Sequence, residues 1–136
     1  MIALESKVEG IVTEYDALQP LMQQHRFVVG GNWDYEKGSF DRRLDGEKQT
    51  VWLRVPFEVV HGRFDAEQPE PATRIRLMKP YVLGHVYNTG DDHDAHFATY
   101  GALVNQFQTP TDADAPVEQR YMEEAARILR ELEAAI

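Results

Sequence analysis

Chemistry could reside in three places along these 136 residues. In the middle of the chain Trp52 and Arg54 alternate with aliphatic neighbours, and Arg74, Arg76 and Met78 repeat the pattern further on. Guanidinium groups on one strand face can clamp a carboxylate or phosphate through two parallel N–H bonds. Arginine, Trp and Met together are also the composition of protein interfaces. The set admits three readings: a solvated face on which arginine stems cover Trp52, a surface for a second copy of the chain, or a site for a small anionic ligand.

A second group is His85, followed by Asp92, His93, Asp94 and His96. Neutral imidazole and carboxylate both ligate zinc or manganese, so a divalent-metal site, with hydrolysis as its chemistry, is the alternative function. The spacing matches neither His-Glu-x-x-His nor an EF-hand loop, and a solvated acidic loop has the same composition. No other cofactor is expected. The third group is the run Gly30-Gly31-Asn32-Trp33-Asp34-Tyr35-Glu36. It lacks the glycine spacing of a dinucleotide fold and the Gly-Lys-Ser/Thr ending of a P-loop. Gly30-Gly31 permits unusual φ/ψ or close approach of another backbone, and Gly31 inside a strand marks a bulge. Trp33 and Tyr35 then read as core aromatics whose polar tips need partners.

Nucleophilic catalysis finds little support. There are no cysteines, and the two serines, Ser6 and Ser39, lie outside any nucleophile-elbow context. His25 falls on a helical stripe, where packing or capping is its ordinary use. No residue is assigned a catalytic role, and a non-enzymatic domain is the preferred reading.

Composition narrows the partners. A net charge of −9 argues against nucleic acid, because phosphate binding needs clustered Lys and Arg. The charge is uneven: residues 37–79 hold nine basic and seven acidic side chains, while the rest holds five and sixteen. No apolar run reaches the roughly 20 residues that span a bilayer, and the N-terminal residues lack a signal-peptide pattern. With zero cysteines, a cytoplasmic location is expected.

The elements that must position these groups follow from periodicity. Ile2, Leu4, Ser6 and Val8 alternate as a half-buried strand, which Gly10 ends. Tyr15, Leu18, Leu21 and Met22 form a helical stripe, capped by Thr13 or Asp16, with Pro20 expected near the first turn and an end near Arg26. A strand is expected over 27–35, a turn at Lys37-Gly38, and a returning strand over 40–44. Asp45-Gly46 is the clearest hairpin signal. The next strand places Val51, Leu53, Val55, Phe57 and Val59 on one face and Trp52, Arg54 and Glu58 on the other. Pro56 makes it an edge or a bend. After a polar loop at 65–71, residues 73–87 form one or two strands broken at Lys79-Pro80. Ile75, Leu77, Tyr81, Leu83, His85 and Tyr87 share one parity there, and Arg74, Arg76 and Met78 the other. Residues 88–115 read as irregular and acidic. A last helix opens at Pro116 and presents Val117, Tyr121, Ala125, Ile128, Leu132 and Ile136, with Glu123–Arg127 and Arg127–Glu131 pairs on its surface.

The run Gly-Gly-x-Trp-Asp-Tyr at 30–35, then Phe40-Asp41-Arg42 and Trp52-Leu53-Arg54-Val55, resembles the YugN-like family of small bacterial proteins. That resemblance implies a TATA-binding-protein-like fold, β-α-β4-α, with a curved sheet backed by helices, and it carries no assigned activity. The expectation is thus one α+β domain over residues 1–136: an antiparallel sheet of about five strands with two helices on one face. Its function is expected to be binding, most simply of a second copy through the open sheet face.

Overall fold

The computed structural model describes residues 1–44, 51–68, 70, 72–84 and 117–136. Its elements are β1 (Ile2–Ala3), β2 (Val12–Glu14), α1 (Tyr15–Gln24), β3 (Val28–Val29), β4 (Lys37–Arg43), β5 (Val51–His61), β6 (Arg74–Leu77), β7 (Tyr81–Gly84) and α2 (Gln119–Ala135). The class is α+β, as expected, but seven strands are present among the described residues rather than about five. A short β2 precedes α1, so the order departs from β-α-β4-α.

All pairings are antiparallel, along the path β1-β7-β5-β4-β3, with β6 joining β5 and carrying β2. Strand β5 is the spine. It pairs with β4 along most of its length, and on its other side it meets β7 first and β6 afterwards. Its alternation is as expected: Val51, Leu53, Val55 and Phe57 are buried, while Trp52, Arg54, Pro56 and Glu58 are half-buried on the opposite face.

Pro56 is neither an edge residue nor a marker of one. Leu44 N–H donates to Val51 O (2.8 Å) and Val59 N–H to Glu36 O (2.8 Å), so odd-numbered residues of β5 bond toward β4. The missing donor of Pro56 therefore points to the other side, at the seam where β7 gives way to β6. Its carbonyl there accepts from Met78 N–H (2.8 Å).

That seam also corrects the parity expected for 73–87. Leu77 pairs with Phe57, whereas Tyr81 pairs with Arg54, a one-residue change of register across 78–80. A slip of one residue reverses which side chains face the core. Ile75 and Leu77 are in the core on one side of the seam, and Val82 on the other. Tyr81 and Leu83 accordingly join Arg54 and Trp52 on the outer face.

Both helices cover the inner face. Tyr15, Leu18 and Met22 of α1 and Ala125, Ile128, Leu129 and Leu132 of α2 pack with Phe27, Phe40, Leu53, Val55, Phe57, Phe64, Ile75, Leu77 and Val82. Neither Thr13 nor Asp16 caps α1: Glu14 is the N-cap, without a side-chain cap bond, and the helix starts at Tyr15, between the starts those two caps imply. Tyr15 N–H instead donates to Thr73 O (2.8 Å), so Pro20 falls in the second turn. The helix ends in a Schellman motif: Phe27 N–H bonds Met22 O (2.9 Å) and Arg26 N–H bonds Gln23 O (2.9 Å). Arg26, in the position where glycine is usual, has φ of 67°. His25 is the C-cap.

Helix α2 begins at Gln119, later than an opening at Pro116. Arg127 pairs with Glu131 (2.7 Å) and weakly with Glu124 (3.9 Å), not with Glu123. Near its C-terminal end, Glu133 accepts from Ser6 Oγ (2.7 Å) and Lys7 N–H (3.0 Å). The chain leaves the sheet after Ala3 and turns over residues 7–10, so the first strand is shorter than its alternation implied. No described helix is long and apolar enough to cross a membrane.

Candidate functional site

The run at 30–36 is a connection rather than a strand. Asp34 Oδ1 accepts from Glu36 N–H (2.8 Å) and Lys37 N–H (3.0 Å), while Asp34 N–H donates to Lys37 O (2.9 Å). The turn is therefore Asp34–Lys37, and Lys37 and Gly38 already belong to β4. Trp33 packs edge-on to Phe64, with ring centroids 5.5 Å apart, and is half-buried against the core. Tyr35 is not a core residue: it is 49% exposed and carries Arg63 over its ring at 4.4 Å.

The two glycines differ. A Cβ on Gly31 would meet nothing within 4 Å, so no packing constraint falls on it, and it lies between β3 and β4 rather than in a strand that could bulge. A Cβ on Gly30 would stand 2.6 Å from Asp41 Oδ2 and 2.8 Å from Ser39 Oγ. Gly30 runs alongside β4, its N–H donating to Ser39 O (2.9 Å), and the space a side chain would take on the outer face is filled by the buried Asp41 and Ser39.

Beneath it runs a polar row across three strands. Register sets Asp41 opposite Arg54 and Arg54 opposite Tyr81. Arg54 Nε donates to Asp41 Oδ1 (2.9 Å) and Nη2 to Oδ2 (3.0 Å), a bidentate pair with the carboxylate side chain only 8% exposed. The Asp41 carboxylate, with a smaller contribution from the Tyr81 hydroxyl, holds Arg54 protonated well beyond the ordinary guanidinium range, against the effect of burial. The clamp expected of Arg54 forms, but within the chain. Arg76 is likewise engaged, by Glu58 at 2.6 Å. Arg74 has no ion pair among the described residues.

The five residues of the proposed face divide into two patches. Trp52 and Arg54 lie at the β7 end, where Trp52 is half-buried and its neighbour Leu83 only 4% exposed. Arg74, Arg76 and Met78 lie at the β6 end, beside Glu58 and, from β2, Val12 and Glu14. There Met78 is 38% and Val12 39% exposed. Sequence reasoning missed Asp41, Glu58 and Tyr81, whose roles depend on register. The metal-ligand candidates His85, Asp92, His93, Asp94 and His96 lie outside the described residues, and among those described no group of three or more His, Asp or Glu could hold an ion.

The chain is similar to two proteins of Bacillus subtilis (strain 168). "Uncharacterized protein YugN" is 29% identical over 133 residues, 98% of this chain and 96% of that protein. "Uncharacterized protein YlbA" is 28% identical over 89 residues, 65% of this chain and 71% of its own length. The crystal structure of the uncharacterized conserved protein YugN from Geobacillus kaustophilus HTA426 superposes with a TM-score of 0.55 at 24% identity, covering 98% of this chain and 99% of that one, and so shares its fold. Residues 3–136 match the model of the YugN-like family, and the chain belongs to that family.

Proposed function

We propose that this chain is a non-enzymatic cytoplasmic binding domain that pairs with a second copy of itself through the outer face of β6, β2 and the adjoining half of β5. The observation that carries this reading is the state of the arginines. Two of three are neutralised from within, Arg54 by Asp41 and Arg76 by Glu58, which leaves a charge-balanced surface rather than an anion clamp. Exposed Val12 and Met78 lie among these charges. A two-fold axis brings the same patch against itself, and Arg74, which has no ion pair among the described residues, can then meet Glu14 of the other copy. Trp52 and Arg54 would border this contact, and Met78 would be near its centre. Lack of cysteine suits a reducing compartment.

Light scattering coupled to gel filtration tests it. The wild type is expected at twice 15.6 kDa, and Met78→Glu at 15.6 kDa with an unchanged circular dichroism spectrum. A monomeric wild type at tens of micromolar, or a Met78→Glu variant that remains dimeric, would sink the reading.

A further inference from the structure

At the start of β3, on the edge of the sheet, lies a groove of about 460 Å³ lined by Arg26, Arg42 and Arg43, by the carboxylates Asp41 and Glu124, and by Val28, Leu44 and Trp52. It exists because β3 is two residues long: it pairs with Phe40 and Asp41 and stops short of Arg42 and Arg43. The chain is diverted there by Arg26 at φ 67°, a conformation in which a Cβ is strained. Glycine is the usual residue at that step of a helix end. Arginine there accepts strain and delivers a guanidinium to the groove, and strain held at one residue is a feature of binding sites.

Of the two carboxylates on the groove, Asp41 is engaged closely and Glu124 only weakly. Asp41 is bound by Arg54, and Glu131 and Glu124 face Arg127 at 2.7 and 3.9 Å. Arg42 Nη1 donates to His25 O at 2.9 Å, which answers the partial negative charge of the α1 C-terminus. Burial lowers the proton affinity of Arg42; Arg26 and Arg127 add to this, while Glu124 and Glu131 oppose it. Arg26 and Arg43 have neither an ion pair nor a side-chain hydrogen bond among the described residues. In a chain of net charge −9, three arginines line one groove, Arg42 from the helix side of β4 and Arg43 from its outer face, and Arg26 and Arg43 lack an anion among the described residues.

We propose that this groove binds a small organic anion, its dianionic head, phosphate or dicarboxylate, held by Arg26, Arg42 and Arg43 and its apolar part against Val28 and Trp52. The volume lies within the roughly 300–1,000 Å³ of small-molecule sites. This binding is independent of self-association through β6.

Isothermal titration at low ionic strength, with pyrophosphate and succinate as probes, tests it on the wild type and three variants. Arg26→Gly removes a guanidinium while relieving backbone strain, so its fold is retained. Arg43→Gln removes an exposed one, and Arg74→Gln is the control on the opposite part of the sheet. At least one probe is expected to bind the wild type, and which one identifies the head group. Its Kd is expected to weaken roughly tenfold or more in Arg26→Gly and in Arg43→Gln, the loss of one charge-assisted hydrogen bond, and to stay unchanged in Arg74→Gln. Absence of saturable binding by either probe overturns the proposal, as does wild-type affinity in Arg26→Gly or in Arg43→Gln. Weakening in Arg74→Gln alone would move the anion to the sheet face and also overturn it. Light scattering on the same samples reads self-association separately, so failure of one proposal is distinguishable from failure of the other.

Discussion

Gly30 rests on Asp41: a single added carbon would lie 2.6 Å from the carboxylate oxygen that receives Arg54 Nη2. The most distinctive run in the sequence therefore serves the ion pair beneath it. Gly30→Ala must push Asp41 or the connection aside, and is expected to cost about 1–3 kcal/mol. Gly31→Ala, which enters open space, is expected within about 0.5 kcal/mol of the wild type. Urea denaturation of both variants checks the contrast, and equal losses would contradict it.

The arginine pairs should separate by burial. Arg54→Ala strands the carboxylate of Asp41, which is only 8% exposed, and is expected to cost roughly 2–3 kcal/mol, somewhat below the loss for a fully buried pair. Arg76→Ala breaks a pair whose members are 45% and 43% exposed and is expected to cost less than about 1 kcal/mol. Chemical denaturation at low protein concentration measures both, and adding salt should narrow only the Arg76 difference.

Glu133 supplies a pH test. The Ser6 hydroxyl first, and then the Lys7 N–H, hold its carboxyl below the ordinary glutamate value. A carboxylate with a depressed folded-state pKa stabilises above its unfolded pKa, about 4.3, and that contribution disappears as pH falls through the lower folded value. Glu133→Gln should therefore be less stable than the wild type at pH 7, by under about 1 kcal/mol because the group is largely solvated, and the gap should close below about pH 4. Paired melts from pH 3 to 7 would show it. A gap that persists at the acid end would rule out the carboxylate as its source.

Helix α1 carries two costs that substitution can relieve. Pro20, exposed in the second turn, lacks the N–H that would reach Asp16 O, so Pro20→Ala is expected to stabilise by roughly 1–2 kcal/mol after allowing for the freer unfolded chain. Arg26→Gly at φ 67° is expected to add about 1 kcal/mol. A rise in Tm for each is the readout. A fall for Arg26→Gly would mean that its guanidinium stabilises the free protein more than its backbone strains it.

What could be read from the sequence was whatever depends on one element alone. The faces of β5 and the stripe of α2 follow from alternation within a single strand or helix, and both are present. Relationships between elements were hidden. Nothing in hydropathy marks the register change at 78–80, because Leu83 is as apolar as Val82, yet it decides which of them lies in the core. The partner of Arg54 was hidden for the same reason: a two-residue turn at Asp45-Gly46, which lies outside the described residues, would set Asp41 opposite Thr50, whereas β4 and β5 set it opposite Arg54. Tyr35 was misplaced because aromaticity alone cannot show that Arg63 covers the ring. The groove at Arg26, Arg42 and Arg43 needed a helix end, a short strand and a strand edge together, none of which a linear pattern records.

Pro56 leaves the sheet with a seam. Strands β7 and β1 hang from one half of β5 and β6 and β2 from the other, and across that point Pro56 contributes no amide to tie the halves together. The two pairs are separate leaves on a common binding edge formed by β4 and β5. Amide exchange should accordingly resolve two protection classes on the outer strands, each opening without the other, while β4 and β5 exchange only when the whole molecule unfolds.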